Sequence, residues 1–321
     1  MAGRVASSVL GPAGPQAQAI AGLWWLMLAI CGTIFLVVLA LLLVAIVRRR
    51  GEEPERRPGA PAAERRRRAA VTVGASATAA ILVIFLLASI STGRTASPEE
   101  DPGGELTIDL YGHQWWWEVR YPAFPPSDSA LTANEIHVPV GRMVLLRATS
   151  RDVIHSFWAP NVDGKKDLIP GRWTLTRFRV DRPGVFRGQC AEYCGDQHAH
   201  MAFLVVAEPE PDFEAWLAAQ RASAVESAGA VEDRGRLLFQ ASSCPICHAI
   251  RGTPAAGSLG PDLTHFGGRA TIGAATLAND PAHLAGWVLD PQKIKPGAAM
   301  PPNALSGPDA AALAAYLESL R

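Results

Sequence analysis

Two long stretches without a charged residue, Ile20 to Val47 and Ala69 to Ile90, set the first limit on this chain of 321 residues. Each is long enough to cross roughly 30 Å of hydrocarbon as a helix, which predicts a two-helix transmembrane hairpin over 20–47 and 69–90. Between them Arg48, Arg49, Arg50, Arg56, Arg57 and Arg65 to Arg68 crowd residues 48–68, against Glu52, Glu53, Glu55 and Glu64. Loop arginines stay in the cytoplasm, so both termini and everything after the second span are expected outside. Trp24 and Trp25 fall at the outer edge of the first span, where amphipathic rings favour the interface. The rival reading, a cleaved signal peptide, suits a much shorter apolar run. Cys31 ends a lipoprotein-like "LAIC", but the apolar run continues well beyond it, so it reads as helix packing.

Thirty basic residues balance thirty acidic ones, and net charge gives no sign of a nucleic acid partner. Beyond residue 90 there are 20 basic and 26 acidic residues, so the exported part is mildly acidic. Within it, Leu106, Ile108 and Leu110, then Ile136, Val138 and Val140, then Val144, Leu146 and Ala148 alternate with polar residues, as do Thr174 to Val180 and Phe203 to Ala207. Period-two runs broken by Gly and Pro predict an all-β, antiparallel sandwich or barrel over 91–207.

Five cysteines form one lone residue and two close pairs, each pair with histidine nearby, which favours metal or haem over a staple. The first pair lies in "GQCAEYCGDQHAHM", Gly188 to Met201, just before the last strand-like run. An exported disulfide between Cys190 and Cys194 is chemically allowed, but it leaves two histidines and a methionine beside it without a task. Zinc would accept two Cys and two His yet gains nothing from a thioether. Soft thiolates with imidazole and Met point to copper in an electron-transfer site. The supply exceeds one copper's needs, and two coppers bridged by both sulfurs require a second imidazole and a second weak ligand. His155, in the apolar run "RDVIHSFWAP", is the candidate imidazole.

The second pair lies in "CPICH", the c-type haem attachment motif, with thioether bonds from Cys244 and Cys247 and His248 as proximal ligand. Met300, in "GAAMPP", is the expected sixth ligand, and His/Met ligation raises a haem's potential. "VEDRGRLLF" and "SGPDAAALAAYLESL" read as helices, the latter with a cap at Ser306 and Asp309 and an apolar stripe at Leu313, Tyr316, Leu317 and Leu320. A linker over 208–229 precedes this cytochrome-like region of 230–321, and 1–19 is an N-terminal tail.

These residues resemble subunit II of cytochrome c oxidase, whose pattern Cys-x-Glu-x-Cys-x-x-x-His-x-x-Met falls on Cys190, Glu192, Cys194, His198 and Met201. The resemblance implies a cupredoxin-like Greek-key sandwich carrying the dinuclear CuA centre. It makes Cys190 and Cys194 the bridges, His155 and His198 the imidazoles, and Met201 and the Glu192 carbonyl the weak ligands. His200 lacks the family spacing and is expected at the surface or behind the ligands. "YGHQWWWEVRYP", Tyr111 to Pro122, matches the family's aromatic stretch, which makes Trp115 the point where electrons enter; Trp117 reads equally as strand core. "GKKDLIPGR" matches the segment near subunit I, where the family's Glu192 carboxylate also helps hold Mg or Mn. The family's glutamate at the inner end of the second helix has no counterpart in 69–90. "GPDLTHFGGR" resembles the cytochrome c loop that supports the proximal histidine through Pro261, and His265 and His283 are expected at the surface or haem edge.

Together the motifs look like the fused subunit II of a caa3-type oxidase: a transmembrane hairpin, the CuA domain, then an all-α class I cytochrome c domain. The resemblance implies a bacterial plasma membrane location with both cofactor domains on the outer side. It also implies partnership with subunits I and III, and a cytochrome c or bc1-type complex as donor. All eight histidines lie outside the spans, so the O2 site is expected on another chain. A membrane-tethered electron carrier or copper-handling protein is the competing reading. Nitrous oxide reductase shares CuA but needs a second His-rich copper domain.

Overall fold

The computed structural model describes residues 4–5, 7–49, 61–96, 104–225 and 229–321. Residues 50–60, most of the expected arginine-rich loop, lie outside it, as do parts of the tail (1–3 and 6), 97–103, and 226–228 of the expected linker. The chain divides into two units: residues 18–97, and residues 1–17 with 98–321.

The smaller unit holds helix α1 (Pro15–Arg49) from residue 18 onward and helix α2 (Pro61–Ala96), both long and apolar enough to cross a membrane. Each is longer than its charge-free stretch. In α2 the helix takes in the arginine run, where Arg68 Nε donates to Glu64 Oε1 one turn away at 3.1 Å.

In the larger unit, strand β1 (Arg4–Val5) precedes ten strands: β2 (Leu106–His113), β3 (Trp116–Tyr121), β4 (Ala130–Ala133), β5 (Glu135–Pro139), β6 (Met143–Ser150), β7 (His155–Phe157), β8 (Lys166–Leu168), β9 (Thr174–Arg179), β10 (Gly184–Gln189) and β11 (Ala202–Glu208). They form a five-stranded sheet in the order β4-β3-β2-β6-β9, a four-stranded sheet β1-β10-β11-β5 and a β7-β8 pair. The expected sandwich is there, but its pairing is mixed, because β2 runs parallel to β6 and β11 parallel to β5. Parallel neighbours require a crossover rather than a hairpin, so alternation along each run could not reveal them.

Alternating residues meet between the sheets: Ile108, Leu110, Trp117, Val119, Leu146, Phe178 and Phe203 are buried in one core. Asp109 lies directly opposite Arg147 in the β2–β6 register and accepts two hydrogen bonds, 2.6 and 2.7 Å, from its guanidinium. A bidentate pair of this kind fixes strand register as well as satisfying a buried carboxylate. The tail contributes too: Ala13 N donates to Asn161 O at 2.6 Å, and Asp181 N to Ala13 O at 2.7 Å. Helix α3 (Glu210–Arg221), in the first half of the expected linker, packs Phe213 and Leu217 into the sandwich core.

The C-terminal region contains α4 (Ala230–Ala241), the short α5 (Cys244–Cys247), α6 (Pro281–Leu289), α7 (Pro291–Ile294) and α8 (Gly307–Ser319). The stripe Leu313, Tyr316, Leu317 and Leu320 is buried with Phe239 of α4, and the Ser306 hydroxyl caps α8 by accepting from Asp309 N at 3.3 Å. Short strands β12 (Thr271–Ile272) and β13 (Leu277–Ala278) lie between α5 and α6. Glu135 of β5 binds this region to the sandwich, its carboxylate accepting from Ala270 N at 2.8 Å and Thr271 N at 3.2 Å.

Helices α4 and α8 touch at Gly235, where any Cβ would collide with the Ala312 carbonyl and Tyr316. Gly235→Ala is expected to force the helices apart and to destabilise the C-terminal domain by about 1–3 kcal/mol. Urea unfolding followed by far-ultraviolet circular dichroism checks this; an unchanged midpoint contradicts the packing described.

Candidate metal centres

In "GQCAEYCGDQHAHM", Gly188 and Gln189 end β10 and Cys190 to Met201 form the loop to β11. Its base is closed by Cys190 N donating to Met201 O at 2.9 Å, and the Gln189 amide donates to the His198 carbonyl at 3.2 Å. The loop folds back so that residues several positions apart face one another. Cys190 Sγ lies 3.8 Å from Cys194 Sγ, Cys194 Sγ lies 3.5 Å from His198 Nδ1, and Met201 Sδ lies 3.8 Å from Cys194 Sγ. The Glu192 carbonyl oxygen is 3.2 Å from Cys190 Sγ.

His155 arrives from the start of β7 with its Nδ1 4.0 Å from Cys190 Sγ. It fits because Gly112 lies beside it: a Cβ there would come within 2.6 Å of the imidazole. Its Nε2 bonds Asp152 Oδ1 at 2.8 Å, which turns Nδ1 toward the sulfurs. Burial opposes a charged ring at His155, but the Asp152 carboxylate and the Cys190 sulfur outweigh it and raise the pKa. Asp152 in turn accepts from Gln114 N at 2.6 Å. Sequence reasoning missed this carboxylate, although an Asp three residues before a candidate ligand histidine was a usable signal.

The donor set fits copper. A sulfur separation of 3.8 Å is far beyond a disulfide bond of about 2.0 Å, yet lets both sulfurs reach one ion at roughly 2.3 Å. Left to themselves the two thiols share a proton: the hydrogen bond from Cys194 lowers the pKa of Cys190, and the same bond raises that of Cys194. A bound cation is what allows both to ionise. His155, Cys190 and Cys194 bring their ligand atoms within 4.8 Å of one another, and all three are buried. His200 faces away, its Nδ1 on Gln197 Oε1 at 2.8 Å. The Glu192 carboxylate points outward to Lys165 Nζ at 3.4 Å.

The second site is a cavity of about 470 Å³ lined by Cys244, Cys247, His248, Met300, Trp287 and Arg269, among others. His248 Nδ1 bonds the Pro261 carbonyl at 2.8 Å, leaving Nε2 for a metal, and Gly260 makes room for the ring. Burial lowers the His248 pKa, which keeps the imidazole neutral and able to ligate. Arg269 is buried in the cavity wall with its Nε unpaired, and burial lowers its pKa. A buried guanidinium with a spare donor asks for an anion, and haem carries two carboxylates. The residues therefore fit a haem. Sequence reasoning did not single out Arg269. His265, expected at the surface or haem edge, is instead buried, its Nε2 on the Ala222 carbonyl at 3.1 Å, because it fastens the segment leaving α3. His283 is exposed beside Asp280.

Trp115 belongs to both sites. Its indole Nε1 donates to the Cys194 carbonyl at 2.9 Å while its ring forms part of the cavity wall, and it is only 9% exposed. Gln114 Nε2 donates to the same carbonyl at 2.8 Å. Trp117 is core, packed edge-on against Phe203.

Residues 127–208 match the family model for the periplasmic domain of cytochrome c oxidase subunit II, and residues 232–321 match that for cytochrome c. The chain is similar to cytochrome c oxidase subunit 2 of Alkalihalophilus pseudofirmus, 37% identical over 72% of this chain and 67% of that one. It is also similar to the subunit 2 proteins of Bacillus sp. strain PS3 (34% identical; 60% of this chain, 55% of that one) and Bacillus subtilis (30% identical; 67% and 62%). It thus spans just over half to two thirds of the length of these relatives. Among solved structures, the periplasmic domain of oxidase subunit II from Bradyrhizobium japonicum is 32% identical, covering 37% of this chain and 93% of that one with a TM-score of 0.34. The chain belongs to the cytochrome c oxidase subunit II family, in a form that carries a cytochrome c domain behind the copper domain.

Proposed function

We propose that this chain is the electron-input subunit of a caa3-type haem-copper oxidase in a bacterial plasma membrane, taking electrons from a cytochrome c or bc1-type donor. Cys244, Cys247, His248 and Met300 would hold a haem c, and His155, Cys190, Glu192, Cys194, His198 and Met201 would hold two coppers; both groups would supply reversible one-electron chemistry. The observation that carries this reading is the position of Trp115, buried between the Cys194 carbonyl and the haem cavity. With its indole covered, a soluble donor has little access to it, and Trp115 would take electrons from the cavity side, where a haem would be held, rather than from solvent.

The protein's own residues then do three things. Asp152 holds the His155 ring in its ligating orientation. Gln114 and Trp115 fix the Cys194 carbonyl. The sandwich keeps water from the sulfurs, since Cys190, Cys194 and Met201 are all buried. Subunit I would receive electrons from this domain and carry the O2 chemistry, coupled to proton translocation, with subunit III as a further partner. The outward carboxylate of Glu192 suits a Mg or Mn ion shared with subunit I.

A copper-handling role is disfavoured by the same burial, because a carrier needs ligands that an acceptor can reach, whereas His155 is 0% exposed.

The loaded protein is expected to show the multi-line copper resonance of one unpaired electron shared by two equivalent coppers; a four-line, single-copper spectrum refutes the dinuclear assignment. His198→Ala should abolish that resonance and His200→Ala should spare it, and equal damage from both refutes the ligand assignment. Asp152→Asn should weaken copper binding about 10- to 100-fold, measured by competition with a chelator; unchanged affinity removes Asp152 from the account.

A further inference from the structure

Lys295 is 2% exposed, a rare placement for a lysine that has no carboxylate partner among the described residues. Its Nζ donates to the carbonyl oxygen of Trp115 at 2.6 Å and to that of Gly273 at 3.1 Å. Burial pushes its pKa down to about 7, with the nearby Cys194 sulfur acting in the opposite sense. The fold therefore bears a desolvation cost at this one point, where the haem-binding region meets the copper domain.

Lys295 opens the loop that ends at Met300. That loop is internally braced by Gln292, whose amide donates to the carbonyls of Ala298 at 2.7 Å and Met300 at 2.8 Å and accepts from Gly297 N at 2.8 Å. A braced loop moves as one piece, so whatever holds Lys295 holds Met300. Across the boundary a second bond runs from Gln197 Nε2 to the Pro296 carbonyl at 2.9 Å. The Trp115 indole lies beside Gly195 and Gly297, both at positive φ; a Cβ at Gly195 would crowd the ring at 3.0 Å, and one at Gly297 would meet it at 3.5 Å, an ordinary contact. At both positions the backbone conformation disfavours any side chain.

We propose that Lys295 is a positioning residue: it pins the Met300-bearing loop to the backbone of Trp115 and so fixes the distance over which an electron passes between the haem and copper sites. The inference rests on the electron route proposed above. In that transfer one electron leaves the haem iron, which is oxidised, and arrives at copper, which is reduced; no bond is made or broken and no proton is required. A lysine serves here because its terminal nitrogen carries donors enough to meet two carbonyls at once.

The test uses the full chain in its complex, as wild type, Lys295→Met and Lys295→Gln. Two quantities are read: amide hydrogen exchange over residues 111–117 and 295–300, and the rate of haem-to-copper transfer after photoreduction of the haem. Lys295→Met is expected to keep the copper resonance and the haem spectrum, to exchange faster in both segments, and to transfer at least about tenfold more slowly, with a new dependence on viscosity. Lys295→Gln, whose single planar amide cannot reach both carbonyls, should fall between. Wild-type exchange and transfer in either loaded variant overturn the proposal, and if Lys295→Met fails to load, Lys295→Gln alone decides in the same way. Absence of the copper resonance or the haem from wild-type protein would instead sink the underlying electron route, so the two failures are distinguishable.

Discussion

The carbonyl oxygen of Cys194 accepts one hydrogen bond from the Trp115 indole and another from the Gln114 amide, and the rest of the molecule is arranged around that junction. Cys194 is a candidate copper ligand through its sulfur, so its backbone cannot shift without disturbing the copper site. Trp115 forms part of the haem cavity wall, so its ring cannot shift without opening that cavity. One peptide group thus couples two redox sites that the sequence encodes in separate domains. The sandwich supplies rigidity on one side through the Phe203 and Trp117 core, and Lys295 and Gln197 supply it on the other.

Much of this was legible in the residues. The two charge-free stretches are helices, and the ligand motif is compact enough that its spacing encodes its geometry. In "CPICH" the short helix Cys244–Cys247 is followed by His248 at its C-cap, and all three ligand-type residues line the cavity. The stripe of α8 is buried as its period requires. What the sequence hid depends on contacts distant along the chain. The parallel β2–β6 and β5–β11 pairings leave the same alternation as antiparallel ones. Helix α3 reads as an amphipathic linker until Phe213 and Leu217 are seen filling the sandwich core. Arg269 and Lys295 are charged residues whose roles come from burial, and burial of a charge is what local patterning is least able to signal.

With Asp152, those two residues also show how the sites are supported. Asp152 acts on His155 through a hydrogen bond, Arg269 lines the cavity with its buried Nε unpaired, and Lys295 joins the Trp115 carbonyl across the domain boundary to that of Gly273. Each carries a desolvation cost that only a specific partner offsets. A chain whose task is to hold two cofactors at a fixed separation has a physical reason to accept such costs, because electron passage is sensitive to small displacements while overall stability is set elsewhere, in the two apolar cores.

The central claim is that electrons reach copper by way of the haem and the buried Trp115. Rapid mixing of the oxidised, fully loaded complex with a reduced c-type cytochrome, recorded at the haem band and the copper band together, tests it directly. The account predicts that the haem is reduced first and that copper follows with the kinetics of haem reoxidation. Copper reduced first, with the haem lagging behind, would contradict it.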